Sequence, residues 1–95
     1  MTVLSLHNTH LIILPGEILW GLEKLETLYL FKCSLVRLNQ VTFIGLRHLH
    51  RLDLDYNKLR TLPNGLFSDL ESLTVLYLNN NQLVTVEGSI FQGLH

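Results

Sequence analysis

Two aspartates separated by one residue are the first candidates for acid/base chemistry in this sequence of 95 residues. If Asp53 and Asp55 lie in a strand, their side chains project from one face, about 6.6 Å apart. That spacing is compatible with paired acid/base chemistry. A catalytic pair also needs a cleft that raises one pKa, which an open sheet does not offer, and Arg51 and Lys58 stand near enough to neutralise the charges. We therefore expect no enzyme and keep a hydrolase using these aspartates as a remote alternative.

The sequence carries no recognisable metal or cofactor site. His48 and His50 form an H-x-H pair, and His7 stands near His10. A zinc site needs three or four ligands, and neither pair has two more at a recognisable spacing. Phosphate-loop and dinucleotide fingerprints are also missing. We expect no metal and no cofactor.

Apolar residues recur through the whole chain with a period of 24 residues. Seven positions are apolar in each of four units, in columns that begin at Met1, Leu4, Leu6, Leu11, Leu14, Leu19 and Leu22. The pattern predicts a single domain of four repeats, with units 1–24, 25–48, 49–72 and 73–95.

Each unit begins with an alternation of leucine and other residues, which predicts a half-buried strand. Successive strands are expected to stack in parallel with the leucines pointing inward. One column follows the strands at the predicted turn, and its members are Thr9, Cys33, Asn57 and Asn81. Because asparagine offers two donors and an acceptor, we interpret this column as a structural ladder that bonds the turn backbone. Cys33, the single cysteine, is interpreted as a buried member of that ladder rather than a reactive thiol.

A second column lies late in the units and consists of Phe43, Phe67 and Phe91, with Leu19 in the first unit. These side chains are expected to stack as a spine under the convex face. No stretch of the sequence predicts a long helix.

The motif L-x-x-L-x-L-x-x-N/C-x-L, repeated at this period, resembles the leucine-rich repeat over the whole chain. The 24-residue unit with a late Phe is similar to the typical extracellular subclass of Toll-like and Slit-like ectodomains, small proteoglycans and variable lymphocyte receptors. The resemblance implies an α/β-type solenoid, mostly β and coil. It would be a right-handed superhelix with a parallel concave sheet of about four strands and a convex side of coil and short helices. An extracellular or cell-surface ectodomain is implied too. This sequence shows no signal peptide and no cysteine-rich caps, and we interpret it as a piece of a longer solenoid or as an open-ended repeat block.

The residues between the strand leucines differ from unit to unit and are expected to form the concave surface. We predict that a protein or glycoprotein partner binds there, through Tyr29, Phe31, Asp53, Asp55, Tyr56 and Tyr77. Tyrosine is a common interface anchor. The alternative for the tyrosines is ordinary cross-strand packing. The alternative for the whole chain is a structural or self-assembling repeat block with no separate ligand.

Composition excludes two other classes of partner. Seven basic and eight acidic residues give a net charge of -1, and no basic stripe indicates nucleic acid. The longest uninterrupted apolar runs, such as Leu11–Leu14, have only four residues, so no segment is predicted to insert into a membrane.

The two outer units are predicted to associate with other copies. Strand edges around Val3–Leu6 and Val75–Leu78 would present unpaired backbone groups, which template association. Apolar Ile12, Ile13 and Trp20 stand where unit three has Arg60, Thr61 and Ser68. They are interpreted either as a surface covered by a neighbour or as a second binding patch.

Overall fold

The computed structural model describes residues 2–6, 9–14, 16–63 and 65–84. Four strands, β1 (Val3–Ser5), β2 (Thr27–Tyr29), β3 (Arg51–Asp53) and β4 (Val75–Tyr77), form one parallel sheet in chain order. A 3-10 turn at Gly16–Ile18 is the sole helical segment of these described ranges, and turns and coil connect the remaining elements. The mostly-β, coil-rich repeat architecture predicted from the sequence is confirmed. Each strand has three residues, fewer than the five of the x-Leu-x-Leu-x alternation that opens each unit.

The register of the sheet follows the sequence period. Leu4 pairs with Leu28, Leu28 with Leu52, and Leu52 with Leu76. Leu28 and Leu52 are fully buried, whereas Leu4 and Leu76 in the two outer strands are partly buried. Since side chains alternate between the faces of a strand, this column fixes which face is core and which meets solvent.

The core continues beneath the sheet as stacked columns. The Phe43 and Phe67 rings are buried and nearly parallel, at 9° with centroids 6.4 Å apart, and Leu19 is buried at the same column in the first unit. Phe91, the last predicted member of this spine, lies outside the described residues. Ile18 and Leu66 immediately precede Leu19 and Phe67 of this column. Leu66 is fully buried, whereas Ile18 ends the 3-10 turn and stays 45% exposed.

Left-handed residues shape the turn after three of the strands. Lys32, Tyr56 and Asn80 have φ of 58°, 59° and 59°, a region that costs most side chains energy. Each immediately precedes a residue of the ladder column. The turn therefore swings the chain out of the sheet at the same place in successive units, which leaves the solvent-facing side of the strands open.

Another turn precedes the next strand, where Gly21 and Gly45 adopt φ of 87° and 82°. Unit three has Asp69 in this column, and its carboxylate accepts a hydrogen bond from the Gly45 N–H at 2.9 Å. The aspartate thus links consecutive turns through its side chain.

Candidate functional site: the concave face of the sheet

We call the face of the sheet opposite the buried leucines the concave face. Tyr29, Asp53 and Tyr77 lie side by side on it, because they are paired in register across β2, β3 and β4. All three are half-buried. Phe31 and Asp55 immediately follow Leu30 and Leu54. Both lie just beyond the ends of β2 and β3 rather than within these strands. The structure therefore brings five of the six predicted concave residues onto adjoining strands and their exits.

Aromatic side chains on this face contact one another. The rings of Tyr29 and Phe31 meet edge to face, with centroids 6.1 Å apart and planes at 86°. Edge-to-face geometry is a favourable arrangement of two ring quadrupoles. Phe31 is half-buried although it serves no part of the leucine core. Each of the two rings therefore packs against the other on this face.

Arg51 lies between the two tyrosines. Its guanidinium carbon is 5.7 Å from the centroid of Tyr29 and 5.0 Å from that of Tyr77, within range of cation–π attraction to both rings. Across the described residues, neither Arg51 nor Lys58 forms an ion pair with Asp53 or Asp55. The expectation that these cations neutralise the aspartates was wrong. The tyrosines on the two flanking strands attract the guanidinium instead.

The two aspartates hold backbone. A carboxylate oxygen of Asp53 accepts the Asp55 N–H at 3.0 Å, and one of Asp55 accepts the Asn79 N–H at 2.6 Å in the next unit. Burial raises the pKa of Asp55, the Asn79 hydrogen bond lowers it, and the negative charge of Asp53 raises it further. Each carboxylate thus uses one oxygen to accept a backbone N–H from the segments that follow β3 and β4.

Tyr56 stands apart from this group at the rim of the face. Its side chain is 55% exposed, and the Lys32 ammonium lies 5.6 Å from its ring centroid. The left-handed backbone at both residues positions this cation–π contact on the turn. Tyr56 is consequently accessible without being part of the Tyr29–Arg51–Tyr77 contact.

Asn57 is buried and fully engaged with the backbone of two units. Its carbonyl oxygen accepts the N–H groups of Cys33 at 2.9 Å and Leu35 at 3.1 Å. Its amide group donates to the carbonyls of Leu30, Leu54 and Asp55, at 2.9, 2.9 and 3.3 Å. One side chain therefore joins the turn of unit two to the turn of unit three.

The other members of the column make fewer contacts of the same kind. Asn81 accepts the Leu59 N–H at 3.2 Å and donates to Leu54, Leu78 and Asn79 at 3.0, 3.1 and 3.3 Å. The buried Cys33 thiol contacts the Leu6 carbonyl at 2.9 Å. Thr9 donates to the same carbonyl at 2.8 Å and lies 3.7 Å from the Cys33 sulfur. Together these side chains connect consecutive turns along the rim of the sheet.

Several exposed apolar side chains lie outside the four strands. Trp20, Ile12 and Ile13 are each about half exposed, and so is Ile44. Trp20 and Ile44 border a shallow depression between the turns of the first two units. The exposed position of Ile44 was not predicted from the sequence. Its place 24 residues after Trp20, in the same column of the repeat, could have indicated it.

Within the described parts of the chain, no three His, Cys, Asp or Glu side chains gather as metal ligands. His10, His48 and His50 are exposed, and His7 lies outside those parts. No helix among the same residues is long and apolar enough to cross a membrane.

Comparison with known proteins places these features in a family. A family model described as "Leucine rich repeat" matches residues 32–83, more than half of the chain. Fibromodulin from Oryctolagus cuniculus is 41% identical over 90 residues, which cover 95% of this chain and 58% of that protein. Fibromodulin from Mus musculus is 45% identical over 73 residues, covering 77% of this chain and 18% of that protein.

Trophoblast glycoprotein from Macaca fascicularis is 38% identical over 84 residues, covering 86% of this chain and 20% of that protein. The chain thus spans between about a fifth and somewhat more than half of these relatives. Fibromodulin is a secreted matrix protein and trophoblast glycoprotein a cell-surface protein, so the similarity is to extracellular proteins.

Proposed function

Because the chain belongs to the leucine-rich repeat family and is of its extracellular type, we propose that it binds a protein or glycoprotein partner through the concave face. The family typically supplies protein-binding segments of matrix and receptor proteins. The residues proposed to make the contact are Tyr29, Phe31, Asp53, Asp55, Tyr56 and Tyr77. Units 1–24, 25–48, 49–72 and 73–95 are proposed to act as one domain that presents them.

The observation that carries this proposal is the contact between Tyr29, Phe31, Arg51 and Tyr77 on the solvent side of the sheet. Aromatic residues and arginine dominate the binding energy of many interfaces. Rings already held by their neighbours lose little rotamer freedom when a partner arrives, which lowers the entropic cost of binding. Hydrogen bonds between Asp55 and Asn79 and between Asn57 and two turns stabilise the backbone that carries this surface.

We propose binding without catalysis. Asp53 and Asp55 each spend an oxygen on turn backbone, and they lie on an open face rather than in a cleft. Burial raises the pKa of Asp55, but no nucleophile or oriented base accompanies it among the residues described, and a raised pKa alone does not make an active site. A hydrolase based on this pair has less support than a binding surface.

Self-association is the second candidate function, and a separate observation favours it. The core leucines Leu4 and Leu76 of the outer strands are only partly buried, whereas Leu28 and Leu52 between them are fully buried. Strands β1 and β4 each have a single neighbour in the sheet of described residues. Such edges add strands of another copy readily. The two functions use different surfaces and can coexist.

Hydrogen exchange of the complex tests the main proposal. A partner would be selected by probing an array of extracellular proteins with the purified chain, and the complex would then be compared with the free chain. We expect protection in segments around β2, β3, β4 and the turn at Tyr56, with the segment around Trp20 and Ile44 unchanged. Protection confined to the Trp20–Ile44 side would overturn the proposal and transfer the site to the convex turns.

A further inference from the structure

Arg51 has hydrogen-bonding capacity that nothing in the described structure uses. A guanidinium carries five N–H donors. The Nε atom of Arg51 is buried and has no hydrogen-bond partner, and the side chain forms no hydrogen bond or ion pair with any described residue. A partly buried cation without an acceptor is costly, and such groups call for an explanation.

The surroundings fix the guanidinium without satisfying it. Tyr29 and Tyr77 lie on the two strands that flank β3, with ring centroids 5.7 and 5.0 Å from the central carbon of the guanidinium. Ring faces attract the positive charge but accept no strong hydrogen bonds. Arg51 itself remains half-buried, so part of it still reaches solvent.

The neighbouring aspartates, unlike Arg51, already form hydrogen bonds with the backbone. Asp53 accepts the Asp55 N–H at 3.0 Å and Asp55 accepts the Asn79 N–H at 2.6 Å, so both already serve the fold. Arg51, by contrast, has no hydrogen-bond acceptor and no ion-pair partner among the described residues. Of the charged groups on this face, Arg51 is the better candidate for an anchor.

From this geometry we propose that Arg51 is the anchor of the concave face and that it receives a carboxylate from an acidic segment of the protein partner. Planar guanidinium and carboxylate groups match in a two-pronged hydrogen bond, and two tyrosine rings already lie within cation–π range of this guanidinium. The inference deepens the proposed function and rests on it.

A titration followed by nuclear magnetic resonance tests the inference with defined probes. The isotope-labelled chain would be titrated with a short peptide of alternating glycine and glutamate, then with matched glycine–lysine and glycine–glutamine peptides and a heparin fragment. We expect the glutamate peptide to shift the amides of β2–β4 and the Arg51 Nε–H signal. Arg51→Met should weaken that binding by about fivefold or more, the usual scale for loss of an anchor. Arg51→Lys should restore only part of it, since lysine keeps the charge but loses the planar fork.

Arg60→Met is the matched control, because Arg60 is exposed and lies beyond the turn after β3. It should leave the titration unchanged. Binding of the lysine peptide to this face, or glutamate binding indifferent to Arg51→Met, would refute the inference while leaving the concave face as the binding surface. Stronger Arg51-dependent binding of heparin than of the glutamate peptide would refute the choice of a protein carboxylate. Shifts restricted to the Trp20–Ile44 side would refute the proposed function itself.

Discussion

Tyr56 combines an exposed ring with a backbone conformation that tyrosine rarely adopts. Its φ is 59°, and Asn80 has the same angle at the equivalent position of the next unit. Asparagine tolerates the left-handed region, whereas a β-branched residue is strained there. Tyr56→Asn should therefore remain as stable as the parent chain, and Tyr56→Val should be less stable than Tyr56→Asn by about 1 kcal/mol or more.

Urea unfolding measures that difference, and partner affinity completes the test. Both variants lose the ring and its contact with Lys32, so both should bind the partner about fivefold more weakly, as expected for loss of one interface aromatic. Equal stability of the Asn and Val variants would contradict the left-handed turn. Unchanged affinity in both would remove Tyr56 from the site.

Asp55 predicts a pH dependence of stability with a definite sign. Its pKa is raised above the ordinary value of 3.8, chiefly by burial, so the folded chain holds this proton more tightly than the unfolded chain. The stabilising contribution is fully present below the unfolded pKa and is lost as pH rises through the folded pKa. In Asp55→Asn, where the side chain can still accept the Asn79 N–H, this loss should vanish.

Urea unfolding between about pH 3 and pH 7 gives the comparison. The free energy of unfolding of the parent minus that of Asp55→Asn should fall as pH rises through this window. In Asp53→Asn the same fall should persist with smaller amplitude, because one of the two causes that raise the pKa is gone. A difference that rises with pH would show that the Asn79 hydrogen bond outweighs burial.

At the scale of elements, the turns after the strands depend on a few amide side chains. Asn57 bonds five backbone groups in two units, and its replacement by alanine leaves buried donors and acceptors unpaired. We expect Asn57→Ala to cost about 1–3 kcal/mol. Asn81→Ala should cost less, because Asn81 is half-buried and water can replace part of what is lost.

Chemical denaturation of both variants, with Cys33→Ser as the control, measures this ranking. Serine can still donate to the Leu6 carbonyl that Cys33 contacts, so Cys33→Ser should be only mildly destabilising and bind the partner normally. If Asn81→Ala proved the more damaging change, the turn of unit four would carry more of the fold than its contacts indicate. Loss of binding in Cys33→Ser at unchanged stability would mean that the thiol is functional.

The elements were largely predictable because each leucine column encodes both position and orientation. Leu28 and Leu52 repeat at the spacing that the sheet register uses, so pairing followed from the period. The position of Arg51 was not predictable from spacing alone. Its guanidinium contacts Tyr29 and Tyr77 on two other strands. Whether the Arg51 side chain contacts these rings or Asp53 depends on its rotamer, which the sequence pattern does not specify.

At the scale of the whole molecule, the outer strands predict self-association of this chain. Light scattering after size exclusion should show dimers or larger species whose fraction grows with concentration, since β1 and β4 each have one neighbouring strand among the described residues. Val3→Lys should reduce association without loss of folding, because Val3 is 54% exposed on β1. Val36→Lys, at an exposed valine outside the strands, is the control. A monodisperse monomer at high micromolar concentration would exclude the edges as an interface.

The most direct test of the account is the affinity of one selected partner for two matched variants. The concave variant carries Phe31→Ala and Tyr77→Ala, and the convex variant carries Trp20→Ala and Ile44→Ala. Each variant removes one pair of aromatic or apolar side chains. Circular dichroism would be used to check that both variants are folded. The account predicts at least about a tenfold loss of affinity in the concave variant, as expected when two anchors are truncated, with the convex variant near the parent. The opposite ranking would contradict it and would identify the Trp20–Ile44 surface as the binding site.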